Sequence, residues 1–424
     1  MLGQHLRELI PGNDHHLDSE AARHVEVLSA WRRRSLEEQW LALGGDESPF
    51  VPSIEPVRGR VRLGLFCPCL GLGGAESWQL ALIRAIDPEL VAWQGAVVTD
   101  GRQLVAPKML GPLSSRMPVG FGLNAARALA ESSDVLISWS VLDYGAVFRG
   151  LHCPPRVALA CHFPGEMPWT SAAEQLLSRV TRLVAVSELA VESLPVSLRG
   201  QAKVIWNAVD GTRLNQTRTV DATRSEWGIL PGVKVAGYLG RLSAEKDPDA
   251  MLRLAQELPD HWYVVVVGDG RERQAMADKV ARLGLSRVRL VPGTAEVGDT
   301  LAAFDSLVVP SLYESFGLTM AEGFWSGVPV VATRSGLAKV VPGLVQEIGF
   351  VSSGTELAAA ILLDHKFDVQ GRLARVARAR SFAEERLDLA RFGSEWTSLV
   401  VDLAGRNPSS HRREEPCRPT IRVA

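Results

Sequence analysis

Cysteine is scarce in this sequence, lysine is scarcer than arginine, net charge is almost nil, and no long apolar run occurs. The five cysteines among 424 residues are Cys67, Cys69, Cys153, Cys161 and Cys417. An odd count, with Cys67-Pro68-Cys69 the one close pair, suits neither a paired disulfide framework nor a zinc knuckle. Reduced, cytosolic thiols are expected. No uninterrupted apolar stretch reaches the ~18 residues that would read as a membrane span. With 46 basic against 48 acidic side chains the formal charge is −2, which excludes a protein that grips nucleic acid by bulk charge. The opening stretch MLGQHLRELIPGNDHHLDSE has no basic start followed by an apolar segment, so no secretory signal is expected. No repeat of 20–50 residues is visible.

What is present is globular. Hydrophobic residues make up 46% of the chain, enough, at this length, for a large core without a disulfide or metal staple. Residues 1–58 stand apart. Leu17, Ala21, Val25, Leu28 and Trp31 recur at helical spacing within 17–43, with Arg32, Arg33 and Arg34 on the polar side. The proline-rich stretch SPFVPSIEPV then reads as an extended linker. An amphipathic helix with an arginine triplet leaves contact with a membrane surface open. Ten acids against seven bases in 1–60 favour instead a helix packed on the protein.

From residue 61 short apolar runs alternate with helical segments. VRLGLF, LVAWQGAVV, DVLISW, RVALAC and RLVAVS form a first series, and a second starts at KVAGYLG and continues through WYVVVVG, VRLVPG, DSLVVPS and VPVVAT. Runs without polar alternation suit strands buried on both faces, as in parallel sheets. Strand–helix alternation makes each series a doubly wound α/β domain. The two join near VIWNAVD. Ligands of such sheets sit beyond the carboxyl ends of the strands, so a cleft between two such domains is the expected site.

Three segments carry chemistry. In PSLYESFGLTMAEGFW (310–325) a strand ends in a loop with Glu314, and a helix is expected to begin near Phe316. The N–H groups of Gly317, Leu318 and Thr319 then lack intrahelical partners and favour phosphate. Glu322 lies about one turn on, ~5 Å along the axis, where a carboxylate can accept hydrogen bonds from vicinal hydroxyls. Helix-start acids favoured by the macrodipole alone would look the same. In GYLGRLSAEKDPD (237–249), Arg241 and Lys246 lie just beyond a strand, a fork and a point charge suited to a diphosphate. A local ion pair at a solvated helix start is the plainer reading. In LGLGGAESWQLAL, Gly71, Gly73 and Gly74 form a glycine-rich turn between strand and helix. It does not match the dinucleotide fingerprint, so NAD is not expected. His162 follows the strand RVALAC, and Ser187 ends RLVAVS as a helix cap.

Glu314 and Glu322, within E-S-F-G-L-T-x-x-E, resemble the signature of the retaining GT-B glycosyltransferases of family 4 (group 1). GRLSAEKD, VVGDG and the N-terminal GGAE resemble that family's other blocks, in the same order, across nearly all of 61–404. The resemblance implies an α/β GT-B fold, two Rossmann-like doubly wound domains facing a central cleft. It divides the chain into a helical extension and linker (1–58), an acceptor domain (59–206), a nucleotide-sugar domain (207–385), a helix crossing back to the first domain (386–404) and a disordered tail (405–424).

The resemblance further implies a cytoplasmic, metal-independent, retaining enzyme, with no cofactor beyond its UDP- or GDP-sugar donor. The acceptor would be a carbohydrate, lipid-linked or small-molecule hydroxyl, and no nucleic acid is expected. His162, Arg241, Lys246 and Glu314 carry the catalytic roles. Gly73, Gly74, Ser315, Phe316, Gly317, Leu318, Thr319 and Glu322 bind the donor. Two departures stand out: Ala208 replaces a glycine in the N-G-V-D hinge, and Lys339 replaces the glutamate of G-G-x-x-E after VVAT. A non-hydrolysing nucleotide-sugar epimerase and a non-catalytic scaffold are the alternatives.

Overall fold

The computed structural model describes residues 50–53, 59–67, 74–98, 107–139, 144–162, 177, 179–349 and 354–406. The extension, most of the linker, Gly73 and all but the first two residues of the tail therefore lie outside the described residues.

Two parallel sheets organise the chain. The first has seven strands, β1 (Val61–Cys67), β2 (Val91–Val98), β3 (Val119–Phe121), β4 (Val135–Ser138), β5 (Arg156–Cys161), β6 (Arg182–Ala185) and β7 (Ala202–Val204), ordered β3-β2-β1-β4-β5-β6-β7. The second has six, β8 (Lys234–Leu239), β9 (Trp262–Val267), β10 (Val288–Val291), β11 (Ser306–Val309), β12 (Val330–Thr333) and β13 (Gln346–Ile348), ordered β10-β9-β8-β11-β12-β13. Every strand pair is parallel. The unbroken apolar runs have their cause here. Leu63, Leu65 and Phe66 are all fully buried because the two sides of β1 serve different cores.

In each sheet the strand order reverses direction once, between β1 and β4 and between β8 and β11. Chain leaving the two strands at such a point diverges and opens a crevice at their carboxyl ends. The helices packed about the two sheets include α1 (Gly74–Ala85), α2 (Gly122–Ser132), α3 (Glu188–Glu192), α4 (Asp249–Glu257), α5 (Leu318–Ser326), α6 (Leu337–Val340), α7 (Val369–Arg386) and α8 (Leu389–Leu403).

A break separates α7 from the expected crossing helix, which is α8. α7 ends at Arg386, Leu387 is buried, and the Asp388 side chain caps α8 by accepting from the Arg391 N–H at 2.9 Å.

α8 lies on the first domain although it follows the second. Phe392, Trp396 and Leu399 pack with Trp78, Leu82 and Ile86 of the first core. Gly393 permits this approach, since a Cβ there would stand 2.1 Å from the Ala85 carbonyl oxygen. Arg84 of α1 also pairs with Asp210 just before the second domain begins. The core beneath β8, β11 and β12 takes in Ala185, Val186 and Ala190 of the first domain, so the two domains share packing beside the crevice.

Candidate active site

The loops after β8, β11 and β12 meet at the switch point of the second sheet. Beyond β8 the chain passes Gly240 and Arg241 and forms a single 3-10 turn, Ala244–Lys246. Asp247 follows at φ 43°, the one left-handed non-glycine among the described residues. Aspartate tolerates that region better than most side chains, and Arg253 holds its carboxylate at 2.6 Å. This turn aims Lys246 at the next loop, where Nζ lies 2.7 Å from Glu314 Oε1. Ser311 Oγ donates to the same oxygen at 2.8 Å. The Leu312 N–H donates to the Glu245 carbonyl at 2.9 Å, tying the two loops together.

The expected helix begins two residues later than the sequence suggested. Gly317 is its N-cap at φ 88° and ψ 61°, and Leu318 is the first helical residue. No side chain caps this end, so its amides remain directed into the crevice with the positive end of the helix dipole. The left-handed backbone at Gly317 favours glycine, and a Cβ there would also have to displace the Met320 Cε methyl, 2.3 Å away.

Glu322, one turn further along α5, is 14% exposed and faces Arg213, whose Nη1 is 4.0 Å from Oε1. Burial raises its pKa to about 6, and Arg213 opposes that shift. The two acids are thus set apart: Glu314 is tied to Lys246 and Ser311, and Glu322 waits beside an arginine.

Arg241 does not join Lys246. Its guanidinium is 61% exposed and lies 3.5 Å from Glu245, the local ion pair that the sequence left open. The Phe316 ring is buried in the core, edge-on to Trp206 at 6.4 Å, so only its backbone is left to serve a ligand. Ser315 is committed across the crevice. Its Oγ donates to the His162 carbonyl at 2.8 Å, and its own carbonyl accepts from Ser187 Oγ.

The first domain completes the enclosure. Gly74 opens α1, and a Cβ placed there would lie 3.4 Å from Leu318 Cδ1. The starts of α1 and α5 therefore oppose one another across the crevice. His162, just past β5, is flanked by the rings of Trp78 at 4.6 Å and Trp139 at 6.0 Å, both edge-on. Burial lowers its pKa to about 3, so the imidazole is neutral at pH 7. Its Nε2 and both indole N–H groups are buried without a hydrogen-bond partner, a rare state in folded proteins.

Sequence reasoning passed over four residues here: Trp78, Trp139, Ser311 and Arg213. Trp139 was legible in principle, since it directly follows β4, next to the strand that delivers His162. Arg213 was not, because only the domain-joining turn brings it to Glu322. Among the described residues no group of three or more His, Cys, Asp or Glu side chains is placed to hold a metal ion.

A doubly wound pair of domains, with an uncapped helix start and a lysine–glutamate pair at the switch point between them, defines the GT-B class. Residues 233–363 match the family described as Glycosyl transferases group 1, and the two-domain frame is that of the GT-B fold. It is 32% identical over 281 residues to D-inositol 3-phosphate glycosyltransferase 2 of Catenulispora acidiphila, across 61% of this chain and 64% of that one. It is 27% identical over 317 residues to the GDP-mannose-dependent alpha-mannosyltransferase of Mycolicibacterium smegmatis, across 73% of each. The matched stretches span 64%, 56% and 50% of the first three such relatives, about half to two thirds of their length. Among solved structures, Anabaena HepE in complex with UDP-glucose superposes with a TM-score of 0.68 at 20% identity, covering 81% of this chain and all of that one. WaaG, a glycosyltransferase involved in lipopolysaccharide biosynthesis, gives 0.57 at 16% identity, covering 80% of this chain and 99% of that one. No helix among the described residues is long and apolar enough to cross a membrane.

Proposed function

We propose that this protein is a retaining, metal-independent glycosyltransferase that moves a sugar from a UDP- or GDP-linked donor to an acceptor hydroxyl. The observation that carries the reading is the Lys246–Glu314 pair, 2.7 Å apart at the mouth of the uncapped α5.

In this reading the donor diphosphate lies on the open amides of α5, with the start of α1 opposite. Lys246 supplies charge beside it, and exposed Arg241 swings in from Glu245 on binding. Glu322 accepts from the ribose hydroxyls. The anionic Glu314, held in place by Lys246 and Ser311, accepts from hydroxyls of the transferred sugar. Neutral His162, with its unpartnered Nε2, meets that sugar from the first domain.

The bond between the anomeric carbon and the diphosphate oxygen breaks as the acceptor oxygen bonds to the same face. The acceptor proton passes to the departing phosphate oxygen, so no protein nucleophile is needed. Fixed charge and amides already aimed at the leaving group are generally the largest catalytic term in such sites. Domain closure excludes water, which strengthens each contact. The relative named for GDP-mannose and the neighbour holding UDP-glucose support a nucleotide-sugar donor. The acceptor hydroxyl belongs to a carbohydrate, a lipid-linked glycan or a small molecule.

A screen of UDP- and GDP-sugars, scored by released nucleotide with and without acceptor mixtures, tests the proposal. Release that needs both Lys246 and Glu314 and increases with acceptor is expected. Conversion of a donor into its epimer without acceptor, or no nucleotide binding by calorimetry, would overturn it.

A further inference from the structure

Lys339, the departure from the G-G-x-x-E pattern, has a partner that the sequence could not indicate. It sits on α6, and its Nζ lies 3.2 Å from Glu192 Oε2 of α3, in the other domain. The residue capping the start of α3 is Ser187, whose Oγ accepts from the Ala190 N–H and donates to the Ser315 carbonyl across the crevice. One five-residue helix and its cap thus provide two contacts to the second domain.

Both contacts lead to the Glu314 loop. Ser315 is the next residue along the chain. α6 is fastened to the same loop by the Leu337 N–H donating to the Phe316 carbonyl at 2.8 Å. It is also held by close packing, since a Cβ on Gly336 would lie 2.8 Å from Glu314 Cβ. Opening the crevice by a rotation of the domains would have to break the Ser187 and Glu192 contacts together.

We propose that Lys339 and Ser187 are positioning residues that latch the Glu314 loop onto α3, so that the closed crevice carries Glu314 at its working position. The inference rests on the glycosyltransferase reading for its consequence, but not for its geometry. A glutamate at 339 would oppose Glu192 and favour the open form, so the lysine converts a repulsive approach into an attractive one. The pair is exposed at 46% and 61%. Such pairs are weak and sensitive to salt, which suits a latch that must open every cycle.

The test is a charge swap on the full chain: K339E, E192K, K339E/E192K and S187A. Amide hydrogen exchange by mass spectrometry, without ligand, reads the latch directly. Exchange over 187–192 and 312–318 should rise about two- to fivefold in each single variant with melting temperatures unchanged. It should return toward wild type in the double variant and rise in the wild type at high salt. Donor turnover should fall by a similar factor in kcat rather than KM, with the same rescue. Unchanged exchange in the single variants, or no rescue by the swap, overturns the latch. A wild type that turns over no UDP- or GDP-sugar overturns the glycosyltransferase reading instead, and the exchange result still decides the latch.

Discussion

Lys246 and Glu314 belong to loops that leave two adjacent strands at the point where the second sheet reverses its order, and their charged ends meet at 2.7 Å. Each neutralises the other while no donor is bound. In the proposed reaction a diphosphate arriving on α5 offers Lys246 a second anion, and a sugar offers Glu314 hydroxyl donors. Binding therefore extends an existing charge arrangement, and little of it has to be built anew.

Removing either end of this pair should be costly for chemistry and cheap for folding. Lys246→Ala and Glu314→Ala are each expected to reduce nucleotide release at least about 10²-fold, with melting temperatures within a few degrees of wild type. Because both act on one arrangement, the double variant should be little worse than the worse single one. Steady-state assays of all three check this, and fully multiplicative losses would contradict it.

The acid limb of activity should come from Glu322. Its pKa of about 6 lies above the ordinary value of 4.5 because of burial, so donor KM should rise as pH falls through about 6. Glu322→Gln should flatten that limb. A His162→Gln variant should keep it, since His162 is already neutral with its pKa near 3. Stability follows the opposite sign. A raised carboxyl pKa contributes stability that is complete below the unfolded value and lost as pH rises through the folded one. Glu322→Gln should thus gain on wild type by on the order of 1–2 kcal/mol between pH 4 and pH 8, measured by urea unfolding.

Gly317→Ala forces a side chain into a left-handed backbone and against Met320 Cε. We expect a loss of about 1–2 kcal/mol in stability and a larger loss in UDP or GDP affinity, because the amides of α5 shift. Calorimetric titration beside thermal melting separates the two effects. Equal losses in both would argue that the amides do not hold the nucleotide.

Gly393→Ala places a methyl group 2.1 Å from the Ala85 carbonyl oxygen. The obstacle is backbone, so α8 must move off α1. A loss of about 1–3 kcal/mol is expected, read as a lower urea midpoint. Activity in the remaining folded protein should fall little, because the proposed donor contacts come from α5, Lys246, Glu314 and the start of α1, and none from α8.

Much of this molecule could be read before its coordinates. The strands of both sheets show as continuous apolar runs because helices cover them on two sides, Glu314, Lys246 and His162 fall in the loops where strands end, and Glu322 follows one turn into α5. The misses have local causes. β3, β7 and β13 are three residues long, too short to show a period. Phe316 looked like part of the site because it lies inside the motif, but the turn at Gly317 sends its ring into the core.

The sequence by itself determined which segments become buried strands, where glycine must stand and which residue types wait at the strand ends, because burial pattern and backbone freedom are properties of neighbouring residues. Only the tertiary structure decided that Lys246 would meet Glu314, that Arg213 would face Glu322, that α8 would return to the first domain and that Lys339 would find Glu192 across the crevice. The ion pairs among them join side chains up to 147 positions apart, and α8 meets the first domain across 310; packing of whole domains, not local preference, sets distances of that kind.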